Sequence, residues 1–272
     1  MVQLYFVAAL AVVGPVVAGP LLAFGPVRWV ARGRLAARVR GAVAGLTGVL
    51  GRPLTAVAVL LASSAAVVAV FWPLGVLAHR LEGVVDRPVL AWVATRRNPD
   101  FGSFNAFYTA LGDRAPLKWV TVVGALVFAV LWRRRFWIPL LAIPAAFVVE
   151  QYAQTVVGDA VDRGHPPTGL GTYPSGGVAR IVLTIGSLAL FAVLTWRLSR
   201  RWQVALGTVV LALAAYEGYS RIYQQKHWLT DVLGGLLFGP ALFLGYALAV
   251  VVLAGRASRP APAGTLVLEP AL

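Results

Sequence analysis

The chain alternates long apolar runs with short polar segments over most of its length. Seven runs are long enough, or nearly so, to cross the hydrocarbon core of a bilayer as helices. They cover residues 4–27, 53–78, 118–132, 136–157, 176–196, 203–220 and 229–254. The pattern predicts an all-α fold, a polytopic bundle of transmembrane helices.

Composition supports a membrane protein and narrows its chemistry. Of the 272 residues, 59% are hydrophobic and only 12% are charged, and the mean hydropathy is +0.79. The absence of cysteine excludes disulfides and thiol chemistry. No Lys or Arg precedes the first apolar run, so we interpret that run as a retained helix rather than a cleavable signal peptide.

The net charge of +14 predicts topology rather than a nucleic-acid partner. The arginines form short clusters between apolar runs instead of one basic face, so no nucleic acid is expected. With the N-terminus outside, 14 of the 24 Lys and Arg residues fall in the inner segments. We therefore expect a multi-pass protein of the cell membrane with a cytoplasmic C-terminus. The loops 158–175 and 220–231 then lie outside the cytoplasm.

The remaining segments divide the chain into three parts. Residues 1–52 hold the first span and a basic loop, 53–254 a core of six spans, and 255–272 a Pro/Ala-rich tail expected to be disordered. Residues 82–101 mix charges with large apolar side chains, which favours a helix lying at the membrane interface over an ordinary polar loop. The Gly235/Gly239 spacing predicts a helix-packing notch.

Polar residues stand out in the outer loop "SRIYQQKHWLTD". His227 and Asp231 are four residues apart, so a helix would place them on one face, where the carboxylate can orient the imidazole. A short hairpin would bring Arg221 and Ser220 beside His227, and a planar guanidinium suits a phosphate. This combination predicts a phosphoryl-transfer site.

Two other segments are expected at the same face. In "GTYPSGGVAR", Ser175 starts a helix whose first amides, at Gly176 and Gly177, can hold an anion. In "VDRGHPP", Arg163 and His165 end the fourth span. Each segment alone is an ordinary helix start or loop, and their convergence on one face makes a site the better interpretation.

These residues resemble the type 2 phosphatidic acid phosphatase superfamily. The third motif of that family, Ser-Arg, five residues, His, three residues, Asp, is met in full by Ser220, Arg221, His227 and Asp231. The resemblance implies a phosphatase-like core of six helices, here with one extra N-terminal span. It also implies that His227 attacks phosphorus to form a phosphohistidine, that Asp231 orients it and that Arg221 binds phosphate. Neither a metal nor another cofactor is expected.

The other two motifs depart from the family pattern. The second, Pro-Ser-Gly-His, has Gly177 in place of the histidine that helps to protonate the leaving oxygen. The first has Gly158 and His165 in place of its lysine and arginine, and Arg163 matches only a frequent neighbouring arginine. Residues that could replace the missing acid or charge are His165, Arg180 and Glu217. Glu150 and Glu217 are also ionisable residues within spans, where a functional role and simple helix packing are equally open interpretations.

The leading hypothesis is an enzyme that removes phosphate from a lipid phosphate or a polyprenyl diphosphate in the bilayer. A phosphotransferase that passes the phosphoryl group to an alcohol fits nearly as well. A non-catalytic relic that binds phospholipid headgroups through Arg163, Arg180 and Arg221 is the alternative from another class. A transporter is disfavoured because no inverted repeat is visible. The lipid chain, the headgroup and the oligomeric state stay open.

Overall fold

The structure, a computed structural model, describes residues 34–255, with side chains from residue 37 onward. The predicted span 4–27 and the predicted disordered tail beyond residue 255 lie outside this range. Every regular element within the range is helical, which confirms the all-α prediction. The helices are α1 (Arg34–Arg80), α2 (Arg87–Ala94), α3 (Pro99–Leu111), α4 (Arg114–Leu131), α5 (Trp137–Val161), α6 (Gly176–Trp196), α7 (Arg200–Tyr223) and α8 (Leu229–Ala254).

Five of these helices, α1, α4, α5, α6 and α8, are long and apolar enough to cross a membrane. They coincide with five of the predicted spans and make the chain a multi-pass membrane protein. The helix α7 covers the predicted span 203–220 but is more polar. It begins with Arg200 and Arg201, and its last two turns contain Glu217 and Arg221. Its polar end belongs to the candidate site described below.

The segment 82–101 forms two helices rather than the single interfacial helix that the sequence predicts. A short π-helical turn, Glu82–Asp86, leads into α2, and the chain breaks before α3 begins at Pro99. Proline disfavours a helical conformation in the residue before it. Asn98 adopts an extended backbone, and its side chain accepts hydrogen bonds from the amides of Asp100 and Phe101. The helix α3 was not predicted.

The helix α6 lies at the centre of the bundle and packs against α4, α5, α7 and α8. Its first nine residues, 176–184, are all buried. The N-terminal amides of this helix therefore point into a region surrounded by other helices. This central position allows several segments to supply side chains to one helix N-terminus.

The predicted glycine notch is the contact between α8 and α6. A Cβ atom added to Gly235 would lie 2.7 Å from the backbone oxygen of Ser175, and one added to Gly239 would lie 3.0 Å from Cα of Ala179. Small residues at these positions let the two backbones approach closely. The start of α8, which carries Asp231, is thereby held against the start of α6.

We expect Gly235→Ala to lower the midpoint of thermal unfolding in detergent, because its methyl group would push Ser175 away at a cost of about 1–3 kcal/mol. Gly45→Ala is the matched control, since nothing lies within 4 Å of a Cβ atom on Gly45 in α1. There the higher helix propensity of alanine should leave the midpoint unchanged or raise it. Equal shifts in both variants would contradict the close contact.

Candidate active site

The nucleophile candidate, His227, is held at the N-terminus of α8. It precedes the helix, and its Nδ1 atom lies 3.3 Å from Oδ2 of Asp231 in the first turn. The same Oδ2 atom accepts the backbone amide of Trp228 at 3.0 Å. Asp231 therefore caps α8 and orients the imidazole at the same time. If Nδ1 donates to the carboxylate, the lone pair lies on Nε2, the nitrogen that faces away from Asp231.

Burial and a close glycine fix the imidazole further. Only 5% of His227 is exposed, and this burial lowers the pKa of the imidazole although Asp231 acts in the opposite direction. The backbone of Gly171, at a φ of 87°, lies directly on the ring. A Cβ atom there would be 2.8 Å from Nδ1 of His227. His227 is therefore neutral over a wider pH range than an exposed histidine, as a nucleophile requires.

A second carboxylate and an arginine stand behind Asp231. Nη1 of Arg163 lies 3.1 Å from Oδ1 of Asp231, and its Nη2 donates to Oδ2 of Asp86 at 2.6 Å. Thr230 joins them, because its amide and hydroxyl both donate to Asp86, at 2.9 and 2.7 Å. All three charged side chains are buried. The sequence predicts Arg163 as a phosphate-binding residue, whereas in the structure it binds the two carboxylates.

The predicted anion cradle lies at the N-terminus of α6. Ser175 is the N-cap residue, but its side chain makes no capping hydrogen bond. Its hydroxyl is fully buried and without a hydrogen-bond partner in the described part of the chain. The first amides of a helix have no partner within the helix and carry partial positive charge. The amide of Ser175 donates to the backbone oxygen of Asp231 at 2.9 Å, which joins the second motif to the third.

Two arginines flank this cradle. A Cβ atom on Gly176 would lie 3.1 Å from Nη2 of Arg180, and one on Gly177 would lie 2.7 Å from Nη2 of Arg221. The guanidinium of Arg221 thus fills the space where a side chain at position 177 would begin. Gly177→His, which would restore the histidine of the family motif, cannot be accommodated unless Arg221 moves.

Each of these arginines is paired with a glutamate from the bundle. Arg180 contacts Glu150 at 3.0 Å, and Arg221 contacts Glu217 at 2.6 Å. Both glutamates are fully buried. Glu217, one of the predicted replacements for the missing acid, is therefore paired with Arg221. The hydroxyl of Ser220 donates to the backbone oxygen of Glu217 at 2.8 Å. A guanidinium that keeps one carboxylate partner can still present its other edge to a phosphate.

The end of α3 covers both arginines. Arg180 donates to the backbone oxygen of Gly112 at 3.1 Å, and Nη2 of Arg221 donates to that of Thr109 at 3.0 Å. The same Nη2 atom lies 2.6 Å from Oδ1 of Asp113. The side chain of Asp113 is 46% exposed, so the buried cradle reaches the protein surface at this residue.

His165 lies at the edge of the site rather than in the cradle. It is exposed, and its Nδ1 atom contacts the backbone oxygen of Gly171, the residue that packs on His227. It also lines a groove of about 530 Å³ between α2 and the loop that precedes α8. The residues that line it include the apolar Leu90, Ala91 and Trp228 and both members of the ion pair Glu82–Arg87.

The model of the PAP2 superfamily matches residues 42–254. The chain belongs to the PAP2 superfamily. A structural match is the crystal structure of the first transmembrane PAP2 type phosphatidylglycerolphosphate phosphatase from Bacillus subtilis, with a TM-score of 0.56 and 20% identity. The match covers 76% of this chain and 98% of that one. Comparison with the curated proteins finds no significant match.

The three segments that resemble motifs of this family, the type 2 phosphatidic acid phosphatase superfamily, thus meet around one helix N-terminus, in agreement with the predicted convergence of these loops. Two residues at the site were not predicted, Asp86 and Asp113. Asp86 lies in the segment interpreted as an interfacial helix, and Asp113 is an isolated acid between two helices. The only signal in the sequence was the concentration of acidic residues in the loops predicted to lie outside the cytoplasm, which does not single out either of them.

We expect Arg163→Met to destabilise the protein by about 3–5 kcal/mol, because it leaves Asp86 and Asp231 buried without a cation. The measurement is the thermal unfolding midpoint in detergent. Arg87→Met is the matched control: its side chain is 71% exposed in the pair with Glu82, and such pairs contribute at most about 1 kcal/mol. A mild effect of Arg163→Met would show that the buried network is dispensable.

Proposed function

We propose that the chain is an integral membrane lipid phosphatase that acts on a lipid phosphate or a polyprenyl diphosphate through a phosphohistidine at His227. The observation that carries this proposal is the arrangement of three parts. Asp231 holds the imidazole of His227, the free amides of α6 form a cradle joined to Asp231 through Ser175, and the guanidinium of Arg221 lies against that cradle. Membership of the PAP2 superfamily supports the same chemistry.

The catalytic steps follow from this geometry. The amides of Gly176 and Gly177, the hydroxyl of Ser175 and the charge of Arg221 hold the phosphoryl oxygens and stabilise the negative charge of the transition state. Nε2 of His227 attacks phosphorus while Nδ1 stays bonded to Asp231, and the bond from phosphorus to the lipid oxygen breaks. Water then attacks the phosphohistidine and releases inorganic phosphate. Metal ions take no part in either step.

A lipid substrate is supported by the surroundings of the site. The apolar groove along α2 lies one residue from the nucleophile, since Trp228 forms part of its wall. The similar structure from Bacillus subtilis is that of a phosphatidylglycerolphosphate phosphatase, an enzyme of a lipid phosphate. The distribution of arginines supports a site on the extracytoplasmic side of the cell membrane, with the N-terminus outside.

The direct test is phosphate release from diacylglycerol phosphate and from a prenyl diphosphate by protein purified in detergent. We expect phosphate release that is insensitive to EDTA and lost in His227→Ala. With a ³²P-labelled lipid, the unmodified protein should retain the label on His227 when the reaction is quenched without acid. His79→Ala, an exposed histidine at the end of α1, is the matched control and should keep full activity. Lipid binding without any labelled histidine would favour the non-catalytic alternative, and label released only on addition of an alcohol would favour the phosphotransferase.

A second test addresses the groove. We expect Ala91→Trp, which fills the groove from α2, to lower kcat/KM for long-chain lipid phosphates at least about tenfold, because the lost chain contacts are worth about 1–3 kcal/mol. Hydrolysis of the soluble ester p-nitrophenyl phosphate should be unaffected. Ala106→Trp places the same side chain on an exposed position of α3 outside the groove and serves as the control. Equal losses for both esters would place the lipid chain elsewhere.

A further inference from the structure

The side chain of Asp113 has an unusual partner for a residue that begins a helix. It is the N-cap of α4 and has the extended backbone typical of a capping residue, but its side chain makes no capping hydrogen bond. An aspartate at this position normally accepts hydrogen bonds from amides of the first turn and stabilises the helix. The carboxylate of Asp113 instead turns toward Arg221.

The contact places this carboxylate beside the phosphate cradle. Nη2 of Arg221 lies 2.6 Å from Oδ1 of Asp113 and would lie 2.7 Å from a Cβ atom on Gly177. One guanidinium nitrogen therefore separates Asp113 from the position where the PAP2 motif has its histidine. The two glutamates near the cradle are fully buried, whereas the side chain of Asp113 is 46% exposed and can exchange protons with solvent.

The loop before α4 is packed to keep Asp113 in this place. A Cβ atom on Gly112 would lie 2.2 Å from Oε1 of Glu217, so a larger residue would prevent the loop from packing this closely against α7. The backbone oxygens of Thr109 and Gly112 hold Arg221 and Arg180. Both arginines of the cradle are thus connected to the short segment that carries Asp113.

We propose that Asp113 is the proton donor and acceptor of the phosphatase reaction and replaces the histidine that is missing at position 177. This inference rests on the proposed function. A bound phosphate takes the edge of Arg221 that Asp113 holds, which frees the carboxylate next to the reacting group.

The proton balance closes over one turnover. In the first step Nε2 of His227 forms a bond to phosphorus, the bond to the lipid oxygen breaks, and the carboxyl group of Asp113 gives its proton to that oxygen. In the second step water attacks phosphorus, the bond to Nε2 breaks, and the proton of the water passes to the Asp113 carboxylate. The products are the lipid alcohol and inorganic phosphate, and Asp113 is again protonated.

The test compares an alkyl ester with an aryl ester in Asp113→Asn, a variant that keeps the shape and one hydrogen bond to Arg221. For diacylglycerol phosphate we expect kcat/KM to fall about 10²- to 10³-fold, since general acid catalysis contributes about 10²–10⁴. For p-nitrophenyl phosphate, whose phenolate leaves without a proton, kcat/KM should change less than about twofold while the labelled phosphohistidine accumulates.

Two further variants make the result unambiguous. Asp113→Glu should recover part of the rate with the lipid, and Asp100→Asn, which removes the same charge from an exposed position of α3, should behave as the unmodified protein. Equal losses for both esters would make Asp113 a positioning residue for Arg221, and faster hydrolysis of both would make it a competitor of the phosphate. Either result would overturn the inference while leaving the proposed function intact. If the unmodified protein shows no activity that depends on His227, the proposed function itself is refuted.

Discussion

The site depends on Asp231, a single buried carboxylate at which three distant segments meet. Its side chain accepts the amide of Trp228, contacts Nδ1 of His227 and pairs with Arg163. Its backbone oxygen accepts the amide of Ser175. The first, second and third motifs are therefore joined at one residue, and the helix cap, the orientation of His227 and the position of the α6 N-terminus cannot change independently.

Charge is distributed in the apolar bundle so that each buried arginine has a carboxylate partner. Arg163 has Asp86 and Asp231, Arg180 has Glu150, and Arg221 has Glu217 and Asp113. Such pairs contribute little net stability, because burying charges is costly, but removing one partner leaves an uncompensated charge. Their value here is positional. They hold two cations beside the N-terminus of α6, where a phosphate can use charges that the protein has already ordered.

The sequence predicted the helices and the third motif well because both depend on local patterns. Long apolar runs became long helices, and the four-residue spacing of His227 and Asp231 became a contact, although His227 precedes the helix. The segment 82–101 was harder, because a break before Pro99 and the cap by Asn98 split it into two helices. Contacts between distant segments could not be predicted at all. Asp86 lies 77 positions from Arg163, and only the folded chain shows that Arg163 binds it.

The glycine at position 177 illustrates the same limit. From the sequence alone it is a missing histidine, and the natural expectation is a weak enzyme that a histidine would improve. The fold shows that Arg221 occupies the adjoining space and that Asp113 lies on the same nitrogen. Because Arg221 and Asp113 surround position 177, the effect of a substitution there depends on residues from two other helices.

We propose that a phosphoryl group is transferred to His227 while the N-terminus of α6 holds its oxygens. The most direct measurement is an experimental structure with orthovanadate, which adopts the five-coordinate geometry of the transferring phosphorus and should bind tightly for that reason. We expect a bond from vanadium to Nε2 of His227, vanadate oxygens on the amides of Gly176 and Gly177, and Asp113 displaced from Arg221. Vanadate bound away from His227, or held by Arg163 with the cradle unchanged, would contradict it.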